Sequence, residues 1–70
     1  MEMNRTYIRD LITAKLSHWG SPYNYRCYLN GERLGSVKEL KSEAEPGDEV
    51  EVEVFKSYVL RRRVRFEIER

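Results

Sequence analysis

The sequence predicts a single-domain α+β fold, an N-terminal helix packed on a mainly antiparallel sheet of three to four strands. Three observations carry this. Near the N-terminus, apolar side chains recur at helical spacing. From Glu49 onward they alternate strictly with charged ones, which is the period of a half-buried strand. Two turn signals, Asn30-Gly31 and Pro46-Gly47-Asp48, divide the remainder into short pieces.

In chain order, residues 1–3 read as a loose terminus and Asn4 as a helix N-cap. Tyr7, Ile8, Leu11, Ile12, Leu16 and Trp19 then form one helical stripe. Gly20 stands where a helix C-terminal glycine is expected and Ser21-Pro22 stops the run, so the helix is predicted over 5–19. A strand follows from Tyr23 to Leu29, with Tyr25, Cys27 and Leu29 on one face and Asn24, Arg26 and Tyr28 on the other. Asn30-Gly31 turns it into a short strand over Glu32 to Leu34, which Gly35-Ser36 breaks. Val37, Leu40 and Ala44, within Val37 to Glu45, stand at roughly helical spacing and predict one or two helical turns or an irregular crossing.

The last third carries the clearest pattern. Val50, Val52 and Val54 alternate with Glu49, Glu51 and Glu53. A second run, 58–69, puts Tyr58, Leu60, Arg62, Val64, Phe66 and Ile68 on one face, with Arg62 the only break. The short connection predicts an antiparallel hairpin. Matching the faces pairs Val54 with Leu60 and Val50 with Val64, and sets Glu53, Glu51 and Glu49 against Arg61, Arg63 and Arg65. A two-residue turn at Lys56-Ser57 would set Glu53 against Leu60 and is rejected.

The order helix, strand, Asn30-Gly31-Glu32, variable stretch, Pro46-Gly47-Asp48-Glu49-Val50-Glu51-Val52 resembles, over about residues 5–54, the C-terminal two thirds of the small β-grasp sulfur-carrier proteins. It is also similar to β-grasp modules appended to RNA-acting enzymes, to the end of an RNA-binding module of a small-subunit ribosomal protein, and to the tail half of PDZ domains in bacterial proteases. The resemblance implies a β-grasp-like sheet. It departs in lacking the first hairpin, whose place the 58–69 strand would take. Sulfur carriers end in Gly-Gly, whereas this chain ends Glu67-Ile68-Glu69-Arg70, so carrier chemistry is not expected.

Composition bounds the function. Seventy residues make one domain with a small core, which dimerisation would supplement. One cysteine excludes an internal disulfide and fits a reducing, cytoplasmic setting. No apolar run approaches membrane-spanning length and no secretory leader is read at Met1. The absence of glutamine, with abundant Glu, Arg, Val and Tyr, points to a thermophilic source or to a designed sequence.

No chemistry-bearing constellation emerges. His18, beside Trp19 at the expected helix end, lacks companions at metal-ligand spacing. Cys27 reads as a buried small hydrophobe. No enzymatic activity, cofactor, metal or small-molecule ligand is expected. The suggestive set is Arg26, Tyr28, Tyr58, Arg61, Arg62, Arg63 and Arg65. Aromatics interleaved with arginine on an open sheet suit a protein-binding surface, or stacking on single-stranded nucleic acid. The net charge of +1 favours the protein partner, a second copy included. Nucleic-acid binding ranks second, and a designed fold without natural function is a further alternative.

Overall fold

A computed structural model describes residues 5–69 of the chain. Its elements are α1 (Arg5–Lys15), β1 (Asn24–Leu29), β2 (Glu32–Leu34), α2 (Val37–Glu43), β3 (Glu49–Lys56) and β4 (Val59–Glu67). The α+β class and the element order are those the sequence predicts. Residues 1–3 and the expected N-cap, Asn4, lie outside the described residues.

The α1 stripe buries Ile8, Ile12 and Leu16, one side chain per turn, while Leu11 and Trp19 pack on the core from its rim. Tyr7 is 46% exposed and stands off the stripe. The helix ends at Lys15, four residues before the predicted end. Beyond it the chain tightens. The Leu16 N–H is shared between the Ile12 and Thr13 carbonyls, Ser17 N reaches Ala14 O at 3.3 Å, and Trp19 N reaches Leu16 O at 3.1 Å. These tighter turns deliver the Trp19 carbonyl to the Tyr25 hydroxyl, which donates to it. Gly20 is therefore not a left-handed cap; the glycines with positive φ are Gly31 and Gly47.

α2 is fixed at its start by Ser36, whose Oγ accepts from Glu39 N at 3.1 Å, while Glu39 Oε2 accepts from Gly35 N at 2.9 Å. This is capping-box logic reaching one residue further back. Leu40 and Ala44 are completely buried. Arg5 ties the two helices together: it donates to the Lys41 and Ala44 carbonyls at the end of α2 and pairs with Glu45 at 2.8 Å.

The four strands lie in the order β2-β1-β3-β4 and every neighbouring pair is antiparallel. Asn30 and Gly31, with φ of 52° and 85°, make the two-residue turn between β1 and β2. Asn30 also knits this turn to the next one. Its Nδ2 donates to Asp48 Oδ1 at 3.1 Å and its Oδ1 accepts from Glu49 N at 2.9 Å. The inner sheet face carries Cys27, Val50, Val52 and Val54 in the core, with Ile68 just past β4 closing it. The opposite face has no layer over it among the described residues, and β4 forms a free edge of the sheet.

Candidate protein-interaction surface

The β3–β4 hairpin turns over Ser57 and Tyr58, both left-handed with φ of 52° and 65°. This closes Lys56 against Val59 and Phe55 against Leu60. Carried on unbroken, such a turn would set Glu53 against Arg62 and misalign the two apolar faces. A bulge between Val54 and Phe55 on the ladder prevents this. It leaves Arg61 as the extra residue of β4, and beyond it Val54 pairs with Arg62, Val52 with Val64 and Val50 with Phe66.

The expected register is thereby corrected by two residues. Glu53 faces Arg63, Glu51 faces Arg65 and Glu49 faces Glu67; Arg61 faces no glutamate. Arg62 keeps its predicted place on the inner face but lies opposite Val54 rather than Val52. Leu60, expected on the inner face with Val64, is turned to the open face beside Phe55 by the bulge.

On the open face the charged side chains form a lattice centred on Glu53, whose side chain is only 12% exposed. Glu53 Oε1 accepts from the Tyr28 hydroxyl at 2.9 Å and lies 4.0 Å from Arg26 Nη1; Oε2 accepts from Arg63 Nη2 at 3.1 Å. The Arg63 hydrogen bond first, then that of Tyr28, with the charges of Arg63 and Arg26 adding, hold the Glu53 carboxyl below its ordinary pKa against the opposing effect of burial. Arg65 bridges Glu51 at 3.1 Å and Glu49 at 3.7 Å, and Arg63 also approaches Glu51 at 3.8 Å. The Arg26 guanidinium lies over the Phe55 ring, 4.7 Å from its centroid.

The predicted surface residues thus separate into two groups. Arg26, Tyr28, Arg63 and Arg65 come together in the lattice, where carboxylates and a ring occupy them. Tyr58, Arg61 and Arg62 lie at the far end of the hairpin. Arg61 and Arg62 are exposed, and neither forms an ion pair among the described residues. Tyr58 is fully exposed at 100%, Val59 52% and Leu60 43%. Among the described residues these three consecutive positions supply all but one of the exposed large apolar side chains, Tyr7 being the other. Sequence reasoning missed Val59 and Leu60 because Leu60 falls in phase with the buried face. The available signal was Arg62, a charge interrupting an apolar run, which is how an edge strand is often protected.

Elsewhere the chemistry is sparse. The thiol of Cys27 is buried and its pKa is pushed up by that burial to about 11, which leaves it a poor nucleophile at neutral pH. His18 sits exposed in the turn after α1, its ring 5.8 Å from that of Trp19 in an edge-on arrangement. No group of acidic, histidine and cysteine side chains suited to a metal ion occurs among the described residues. A cleft of about 690 Å³ opens between the end of α1 and the start of α2, lined among others by Trp19, Tyr23, Tyr25, Val37, Lys38 and Lys41. Among the described residues its lining includes no carboxylate, histidine or cysteine. Among the described residues no helix is long and apolar enough to cross a membrane.

Comparison with known proteins finds no matching family profile, no matching curated protein and no matching solved structure.

Proposed function

We propose that this chain is a small non-catalytic binding module that associates with another protein through the free edge of β4 and the tip of the β3–β4 hairpin. The supporting observation is the run Tyr58, Val59, Leu60, exposed at the hairpin turn and the start of an edge strand. A solvated apolar cluster of this kind, beside unpaired ladder groups, is suited to a protein contact. The turn adds weight. Two-residue turns of this hand favour asparagine and glycine, and a left-handed backbone costs most other residues about 1–2 kcal/mol. Tyr58 accepts that conformation while burying nothing of itself. A strained residue that contributes nothing to the core points to a use outside it, and tyrosine is favoured where proteins meet.

Nucleic-acid binding is the second reading, supported by Arg26, Arg63 and Arg65 beside Tyr28 on an uncovered sheet. Their pairing with Glu49, Glu51 and Glu53 weakens the field that a polyanion would need. Selection from a random peptide library on the immobilised protein separates the two readings. Enrichment of extended peptides that lose binding to Tyr58→Gly and Leu60→Thr variants is expected. No enrichment, together with salt-sensitive binding of a labelled single-stranded oligonucleotide that Arg63→Ala weakens, would put nucleic acid first.

A further inference from the structure

We infer that the strand accepted by the free edge of β4 is acidic, an extended segment of another protein carrying carboxylates at alternate positions; this rests on the binding-module reading above. β4 has two ladder sides. One is filled by β3, whose Glu49, Glu51 and Glu53 meet Arg65 and Arg63. On the other side no strand lies among the described residues.

The charge on β4 exceeds what β3 neutralises. The strand carries Arg61, Arg62, Arg63 and Arg65 against a single Glu67. Arg61 and Arg62 have no ion pair among the described residues, and Arg63 and Arg65 are exposed. A guanidinium has five donors, so the paired arginines retain capacity on the side away from β3. A second strand of alternating acidic and apolar residues would repeat on the vacant side what β3 does on the filled one. Its carboxylates would meet Arg61, Arg63 and Arg65, and its apolar side chains would run beside Val64 and Phe66, which pack on the core from its margin.

A second copy of β4 fits less well. Antiparallel pairing about a two-fold centred on Arg63 sets that residue against itself and Arg61 against Arg65. Centred on Val64, it sets Arg63 against Arg65; centred on Arg65, that residue meets itself although Arg63 meets Glu67; centred on Phe66, Arg65 meets Glu67 and Arg63 meets Glu69, but Arg61 and Arg62 find no carboxylate. Like charges directly opposite are destabilising, and the bulge at Arg61 further deters edge-to-edge pairing of identical strands. A second copy therefore sets like charges opposite each other or leaves Arg61 and Arg62 unneutralised, whereas an acidic strand running the length of the edge can meet them.

The test uses the whole protein and, as probe, a capped and labelled peptide of this chain's own β3 sequence, Asp48 to Phe55. A companion peptide has its three glutamates replaced by glutamine. Anisotropy titration is expected to show saturable binding that weakens with salt. The glutamine peptide, and the double variant Arg61→Ala/Arg62→Ala, should each bind about tenfold more weakly, the sum of a few cross-strand charge pairs. Amide exchange should show new protection along β4 with the β1–β3 ladder unchanged, which separates strand addition from displacement of β3. Equal binding of both peptides would overturn the acidic assignment while leaving edge binding standing. So would a peptide library that enriches non-acidic sequences at Tyr58 and Leu60. No binding of either peptide and no library enrichment would remove both readings. A concentration-dependent dimer in light scattering would assign the edge to a second copy, and tighter salt-sensitive binding of an oligonucleotide or of anionic vesicles through Arg61 and Arg62 would assign it to those; each outcome overturns the proposal.

Discussion

The two ends of the β3–β4 hairpin share one alternating pattern and meet different fates. At the root, Val50 is completely buried and pairs with Phe66, and Ile68 closes the core, its N–H bonded to Asp48 O at 2.9 Å and its carbonyl accepting from Gly47 N at 2.7 Å. At the tip, Val59 and Leu60 are solvated although they are as apolar as the residues at the root. For Leu60 the difference is one of face, since the bulge turns it to the uncovered side of the sheet; for Val59 it is one of reach. The eleven residues of α1 span about 16 Å, whereas the nine of β4 span about 30 Å. A helix laid along the strand would cover roughly half of it. Apolar patterning thus marks what a strand can bury, and register together with the extent of the covering layer decides what it does bury.

The largest effect expected from this comparison lies at the root. Ile68→Ala removes a fully buried side chain and should cost about 2–5 kcal/mol in urea unfolding, while Leu60→Ala at the tip should change stability by no more than about 0.5 kcal/mol. Similar losses at both positions would mean that the tip is covered in solution.

Next comes the centre of the lattice. Glu53→Gln weakens the hydrogen bonds from Arg63 and Tyr28 together and should cost about 1 kcal/mol at neutral pH. The same change should alter the acid limb of the stability curve. A carboxyl whose pKa is lower folded than unfolded binds fewer protons in the native state, so its contribution is complete above the ordinary value of about 4.3 and is lost as pH falls through the folded value. Unfolding measured between neutral pH and strong acid should therefore show a shallower loss in Glu53→Gln than in the parent chain. An unchanged slope would mean that other carboxylates carry the acid response.

A smaller change, of opposite sign, is expected at the turn. Tyr58→Gly relieves the left-handed backbone at φ 65° and should raise stability by about 0.5–1 kcal/mol, after the greater freedom of glycine in the unfolded chain is subtracted. The same variant should lose peptide binding, which would dissociate function from stability at one residue. Smallest of all are the arginines. Arg63→Ala should cost well under about 1 kcal/mol, because its pairs are partly solvated. Arg61→Ala should cost less still, having no pair to lose. If Arg61→Ala proved the more costly of the two, the register with Arg61 in the bulge would be wrong.

Much of this molecule was legible in the chain itself. Ile8, Ile12 and Leu16 specify a helical face, Val50, Val52 and Val54 a strand face, and Asn30-Gly31 and Gly47-Asp48 the turns between them, because each depends on backbone preferences and periodicities within a few residues. The pairing of arginines with glutamates across the hairpin was legible as chemistry, but not the identity of the partners. Alternation has period two, so a slip of two residues leaves every side chain on its proper face. Face matching could not separate Glu53 with Arg61 from Glu53 with Arg63. Tertiary structure decided that choice through the left-handed Ser57-Tyr58 turn and the bulge at Arg61. It also decided the end of α1, where tighter turns bring the Trp19 carbonyl to the Tyr25 hydroxyl, and the exposure of Leu60, turned to the open face by that bulge, and of Val59 at the hairpin tip. Each of these depends on residues distant in sequence meeting in space, and no local period records that.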